Sequence, residues 1–155
     1  MVFTCFFAYI NKCNEMITRL THMNIYVLDQ DSALDFYTNK LGLKVIIDVP
    51  MNKDARWLTV GTTEQPGFEI NLTPIQDGLL HSKETADTLR GLVKKGTFGV
   101  GIFTCTDILA TYEELKSKGV EFIKAPTKEF YGTEALFKDD SGNWFSLAQL
   151  NQTGT

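Results

Sequence analysis

The sequence is short of several things, and each shortage excludes a class of protein. It has three cysteines in 155 residues, Cys5, Cys13 and Cys105. The count is odd and no pair shows Cys-x-x-Cys spacing, so a disulfide scaffold, a zinc knuckle and a redox dithiol are all unsupported. Such sparse cysteine fits a reducing compartment, and a cytoplasmic location is expected. Cys105 lies in an apolar run and reads as a small core residue. Positive charge is also scarce. Against 19 Asp and Glu there are 15 Lys and Arg, a net charge of −4. No basic block is present to neutralise phosphates, so neither nucleic acid nor an anionic membrane surface is an expected partner. No apolar run approaches the ~20 residues that cross a bilayer. There is no Ser-His-Asp order and no Gly-x-Ser-x-Gly. Gly96, Gly99 and Gly101 lack the spacing of a phosphate-cradling loop and precede a strand pattern rather than a helix.

What remains is an ordinary globular composition, 43% apolar and 22% charged, of a length that makes one domain with a sizeable core. The first residues stand apart. Phe3, Phe6, Phe7, Tyr9 and Ile10 form an apolar stretch with no positive side chain before it and no small-residue cleavage site after it, so it is not read as a signal peptide. Residues 1–16 are expected to be an N-terminal extension and 17–150 a single domain.

Within 17–150 the chain repeats one plan. His22 to Val27 alternates and is rich in strand formers. Asp29 or Asp31 then caps a helix carrying Leu34, Tyr37 and Leu41 on one face, and Gly42 ends it. Strands are expected over 44–49, 56–60 and 68–73. The second half repeats the order: a strand over 97–105, a cap at Thr106 or Asp107, a helix carrying Ile108, Tyr112 and Leu115, a stop at Gly119, and strands over 121–124, 134–138 and 144–149. The sequence Asp140-Ser141-Gly142-Asn143 marks the last turn. Corresponding features recur at a nearly constant separation of about 77 to 78 residues, as in the step from Gly42 to Gly119, which is the mark of a duplication. Module one occupies about 17–73, a linker helix about 82–95, and module two about 97–150.

Strand alternation assigns the faces. Met23, Ile25, Val27, Leu58, Val60, Ile70 and Leu72 form the core set. The opposite face collects His22, Asn24, Trp57, Glu69 and Asn71 in the first half, and Val100, Ile102, Glu134, Trp144 and Ser146 in the second. Two tryptophans among His, Glu and Asn suit the wall of a ligand cavity, apolar with a few polar groups. His81, before the linker helix, has no partner by spacing and is read as a surface residue.

The strand His22-Met-Asn-Ile-Tyr-Val, the helix end Phe36-Tyr37-x-x-x-Leu41-Gly42, the segment Phe68-Glu69-Ile70 and the turn Asp139-x-Ser-Gly142-Asn143 together resemble the vicinal oxygen chelate superfamily of glyoxalase I, bleomycin- and fosfomycin-resistance proteins and extradiol dioxygenases. The resemblance spans about residues 17–150. It implies an α+β fold of two βαβββ modules whose sheets curve around a cup-shaped cavity, often in a homodimer. It also implies metal positions on the first and last strands of each half. Carried onto this chain these are His22 and Glu69, then Val100 and Ser146. Valine cannot ligate and a neutral hydroxyl is a poor ligand, so no cofactor is expected and a divalent metal is disfavoured. Glu134 is a further carboxylate on the same face.

Two functional classes stay open. One is a metal-independent protein that binds a small aromatic or amphipathic molecule in the cup. The other is an enzyme: a metal-dependent lyase or dioxygenase with a degenerate or partner-completed site, or a metal-free catalyst with His22 and Glu69 as an acid/base pair. A homodimer is expected in either case, since two shallow half-cups close best against a partner.

Overall fold

The computed structural model describes residues 17–78 and 80–151. The expected extension, residues 1–16, lies outside them, and Cys5 and Cys13 with it. The chain runs β1 (His22–Val27), α1 (Gln30–Asp35) continued by a π-helical turn (Phe36–Lys40), β2 (Lys44–Asn52), β3 (Ala55–Gly61), β4 (Glu69–Pro74), α2 (Lys83–Lys94), β5 (Gly99–Thr104), α3 (Ile108–Ser117), β6 (Glu121–Glu129), β7 (Gly132–Lys138) and β8 (Trp144–Leu150). The fold is α+β, with two four-stranded mixed sheets ordered β1-β4-β3-β2 and β5-β8-β7-β6. In each, the first and last strands in sequence run parallel and the remaining pairs are antiparallel. Among the described residues no helix is long and apolar enough to cross a membrane.

Local chemistry accounts for the repeated boundaries. The Asp29 carboxylate accepts the Ser32 N–H at 2.8 Å. Asp107 accepts those of Leu109 and Ala110 at 3.1 and 3.0 Å. Each aspartate thereby satisfies amides that the first helical turn leaves unpaired. Gly42 and Gly119 follow the helices at φ of 78° and 77°, a left-handed conformation that glycine adopts without a steric cost. The strands β2 and β6 run past the expected ends at 49 and 124 and pass through Pro50 and Pro126. Both are outer strands of their sheets, where a missing N–H breaks no ladder, and pairing slips beside each proline.

One apolar cluster joins the halves. It takes Ile25, Val27, Leu58, Val60, Ile70 and Leu72 from the first sheet, Phe36 and Tyr37 from the first helix, Ile108 and Leu115 from α3, and Ala135, Phe137, Phe145 and Leu147 from the second sheet. The helix-bearing faces of both sheets therefore share a core. Burying each large side chain here contributes about 1.5–3 kcal/mol. A polar clasp seals the junction. The Tyr37 hydroxyl donates to Asp139 Oδ2 at 2.9 Å. Asp139 also accepts the N–H groups of Ser141, Gly142 and Asn143 and the Asn143 side-chain amide, at 2.8–3.0 Å. The same turn returns to module one, because Asn143 Nδ2 donates to the Tyr26 carbonyl at 2.9 Å and Ser141 Oγ accepts the Leu28 N–H at 3.0 Å. A segment that reads in sequence as a turn thus ties the two modules together.

Candidate functional site

With the helices inside, the opposite face of each sheet looks outward and carries its own cluster. On the first sheet His22 pairs directly with Glu69 across β1 and β4, and Asn24 with Asn71. His22 Nε2 lies 3.5 Å from Glu69 Oε2, with the two side chains 37% and 18% exposed. The buried Thr59 hydroxyl, on β3, donates to the same Glu69 oxygen at 2.6 Å. Asn71 Nδ2 donates to Asn24 Oδ1 at 3.0 Å. Trp57, which shares this face with Thr59, brings its indole to 6.0 Å from the imidazole, centroid to centroid, inclined by 54°. Alternation from Trp57 places Thr59 on the same face, and the register of β3 against β4 brings it to Glu69.

The second sheet brings Glu134, Trp144 and Ser146 to its outward face. Ser146 Oγ donates to Glu134 Oε1 at 2.7 Å. Lys124 Nζ lies 3.2 Å from Glu134 Oε2 and also pairs with Glu129. The Ser146 hydroxyl above all, with Tyr131 and Lys124, holds the Glu134 carboxyl below the usual carboxylate range against the opposing effect of burial. The hydrogen bond to Glu134 in turn raises the Tyr131 phenol. Sequence reasoning does not identify Lys124 or Tyr131 as partners of Glu134. Trp144 lies over Gly99, where a Cβ would overlap the indole. Ile102 stands directly across from Ser146 and is 66% exposed. Among the described residues no hydrogen bond or ion pair joins this cluster to that of His22, Trp57, Glu69 and Asn71. His81 is not a lone surface histidine, since its Nε2 hydrogen-bonds the Tyr26 hydroxyl at 2.9 Å.

The strand register changes the equivalences expected from sequence spacing. Met23 pairs with Ile70 and Ile25 with Leu72, whereas Gly101 pairs with Phe145 and Phe103 with Leu147. The match of β1 to β5 keeps the expected separation, but the match of β4 to β8 is shorter. Ser146 is therefore the counterpart of Asn71, and Trp144 that of Glu69. A bulge between Gly99 and Gly101 leaves Val100 outside the ladder, and Val100 packs against the apolar core.

These placements bear on metal binding. A catalytic site needs about three protein ligands. The first face offers His22 and Glu69, its other near groups are amides and a hydroxyl, and Ser146 uses its proton on Glu134. Among the described residues no three His, Cys, Asp or Glu side chains cluster as a metal site. The described residues on either face therefore fall short of the donor set that a catalytic metal needs. A separate cleft of about 800 Å³ opens between the modules on the core side, lined by Met23, Phe68, Ile70, Phe103, Phe145 and Cys105 among others. Burial raises the Cys105 thiol, consistent with an inert core cysteine.

Comparison with known proteins agrees with this architecture. The family model of the Glyoxalase/Bleomycin resistance protein/Dioxygenase superfamily matches residues 19–147. The protein YetH of Bacillus subtilis (strain 168) is 34% identical over 134 residues, which cover 86% of this chain and all of YetH. The crystal structure of UcmS2 superposes with a TM-score of 0.80 at 47% identity, covering 86% of this chain and 98% of that one. TnmS3, an antibiotic binding protein from Streptomyces sp. CB03234, matches in fold with a TM-score of 0.68 at 23% identity, over 88% of this chain and 98% of its own. On the extent of the family match, and on two βαβββ modules that carry it, this chain belongs to the Glyoxalase/Bleomycin resistance protein/Dioxygenase superfamily.

Proposed function

We propose that this chain is a small-molecule binding protein that works as a homodimer and without a metal. The observation that carries the reading is the first sheet's outward face, where an indole stands beside an imidazole over a row of hydrogen-bonding groups: Trp57 with His22, Thr59 with Glu69, Asn24 with Asn71. An aromatic wall with a few fixed polar groups suits a planar or amphipathic ligand. One such face is only half a cup. In a two-fold dimer the β1–β4 face of one protomer meets the β5–β8 face of its partner, and Ile102, Glu134, Trp144 and Ser146 close the cavity from the far side. The outward disposition of both faces supports this exchange. The antibiotic-binding neighbour TnmS3 supports the functional class, while its identity to this chain is too low to carry a ligand across.

The metal-free reading is supported by the donor count on each face. Native mass spectrometry of protein purified without added metal, paired with elemental analysis, is the test. The expected result is a dimer with substoichiometric metal and a co-purified organic molecule that denaturation releases. About one metal per chain would return the reading to a partner-completed lyase or dioxygenase. The 3.5 Å approach of His22 to Glu69 favours one competing role, metal-free acid/base catalysis. In that case His22→Gln would abolish turnover of the released molecule while leaving its binding intact.

A further inference from the structure

We propose that the cup selects aromatic ligands that carry a positively charged amine, held between the Glu69 carboxylate and the face of Trp57. The inference rests on the small-molecule reading above and adds the ligand's charge class. Glu69 is the starting point. By register it is the counterpart of Trp144, so it does not repeat a polar position of the second half. Its carboxylate sits 18% exposed on a face whose other polar groups are neutral amides, a hydroxyl and an imidazole. Among the described residues His22 is its one ion-pair partner within 4 Å.

The Lys and Arg side chains around it are engaged or turned elsewhere, beginning with Arg19, whose guanidinium donates to the Gly67 carbonyl at 3.3 Å. Arg56 alternates with Trp57 and points to the helix side, where it pairs with Asp31 at 2.8 Å and Asp48 at 3.2 Å. Lys44 is exposed at the start of the outer strand β2 and forms no ion pair among the described residues. On the second sheet Lys124 is shared by two carboxylates, Glu129 and Glu134, and Lys138 pairs with Glu121 at 3.2 Å. Among the described residues no Lys or Arg other than Lys124 lies within 4 Å of the Glu69 or Glu134 carboxylate, so an anionic ligand would meet two carboxylates and one lysine already shared between two acids. A protonated amine meets the opposite situation. It completes Glu69 with a charge-assisted hydrogen bond, finds a second acceptor in Asn71, whose amide nitrogen is already turned to Asn24, and can lie over the Trp57 indole as a cation–π contact.

Three naphthalenes of one shape separate charge from aromaticity: naphthalen-2-ylmethylammonium, 2-naphthylmethanol and 2-naphthoate, each titrated calorimetrically into the purified dimer. The expected order is ammonium first, alcohol about tenfold weaker and naphthoate weakest, the size of one charge-assisted contact at a partly exposed carboxylate. Glu69→Gln keeps an acceptor for Thr59 and should bring the ammonium to within about twofold of the alcohol, leaving the alcohol's own affinity unchanged. Trp57→Leu should weaken both, the ammonium more. Equal affinity for ammonium and alcohol, naphthoate binding tightest, or a preference that survives Glu69→Gln would each overturn the charge selection while leaving the binding protein in place. Failure of all three to bind would overturn both readings.

Discussion

Replacing Tyr37 by Phe deletes one oxygen, and the clasp between the modules makes its effect calculable. Tyr37 is fully buried, and its ring meets Phe145 edge-on at 6.3 Å between centroids; phenylalanine keeps that packing. What is lost is the 2.9 Å hydrogen bond to Asp139. A hydrogen bond to a charged group contributes about 1.5–3 kcal/mol. Asp139 keeps the donors of Ser141, Gly142 and Asn143 and is not orphaned, so the lower end, about 1.5–2 kcal/mol, is expected. At about 2–4 °C per kcal/mol for a chain of this size, Tm falls by about 3–8 °C. Burial first, and the Asp139 charge next, raise the Tyr37 phenol well above its ordinary 10.0. The folded state therefore holds this proton to higher pH than the unfolded state does. The contribution is complete below about pH 10 and is lost as pH climbs toward the folded value, by up to about 1.4 kcal/mol per pH unit. Urea midpoints at fixed protein concentration, measured at neutral pH and in steps above about pH 10, test both parts. The gap between parent and variant should narrow in the alkaline range, because the variant has lost the group that titrates. A variant within about 0.5 kcal/mol of the parent at neutral pH, or a gap that stays constant through the alkaline range, would refute the clasp.

The two site clusters give further expectations. Ser146→Ala should raise the Glu134 carboxyl toward its ordinary 4.5, and more than Lys124→Met does, since the Ser146 hydroxyl is the leading cause of the depression. Carboxyl NMR titration reads this directly, and a larger effect from Lys124→Met would sink the assignment. What Ser146 adds to Glu134 is present at neutral pH and disappears as pH falls through the folded pKa. The register of β4 against β8 is tested by building a metal site. Adding Asn71→Glu to Ser146→Glu should tighten zinc binding by about tenfold or more, because the new carboxylate stands on the His22 face at the position matched to 146. No gain from Asn71→Glu would mean that Glu69, not Asn71, is the counterpart of Ser146.

Most of the fold was legible because its punctuation is local. The paired caps Asp29 and Asp107 and the paired stops Gly42 and Gly119 act within one turn of chain, so their repeated spacing exposed the duplication. Alternation then sorted Leu58 from Trp57 and Ile70 from Glu69 and Asn71, because each strand buries one face. Less visible was whatever depends on a partner strand. Pro50 and Pro126 look like strand ends until β2 and β6 are known to be edges. Lys124 and Tyr131 were not recognised as partners of Glu134 because strand position does not specify where a long side chain's tip will reach. Val100 was assigned to the cavity by counting in twos, and a one-residue bulge is what counting in twos cannot detect.

The same bulge, with the shorter match between β4 and β8, sets the outward faces of the two halves apart. Here the first half keeps His22 and Glu69 in direct register with Asn71 one pleat further along. The second half has Trp144 where the first has Glu69, a serine committed to Glu134, and Val100 withdrawn into the core. Metal coordination needs donors from both halves to converge on one point. A binding cup needs only one polar wall and one largely apolar or self-satisfied wall, which is what the two faces provide: His22, Glu69 and Asn71 on one, Ile102, Trp144 and the internally paired Glu134 on the other. Because the helices and core of one chain lie on the inner side of both sheets, the two walls face each other in the proposed dimer, where a second copy supplies the missing one. On this argument loss of the dimer and loss of ligand binding should coincide, even for substitutions that touch neither cluster.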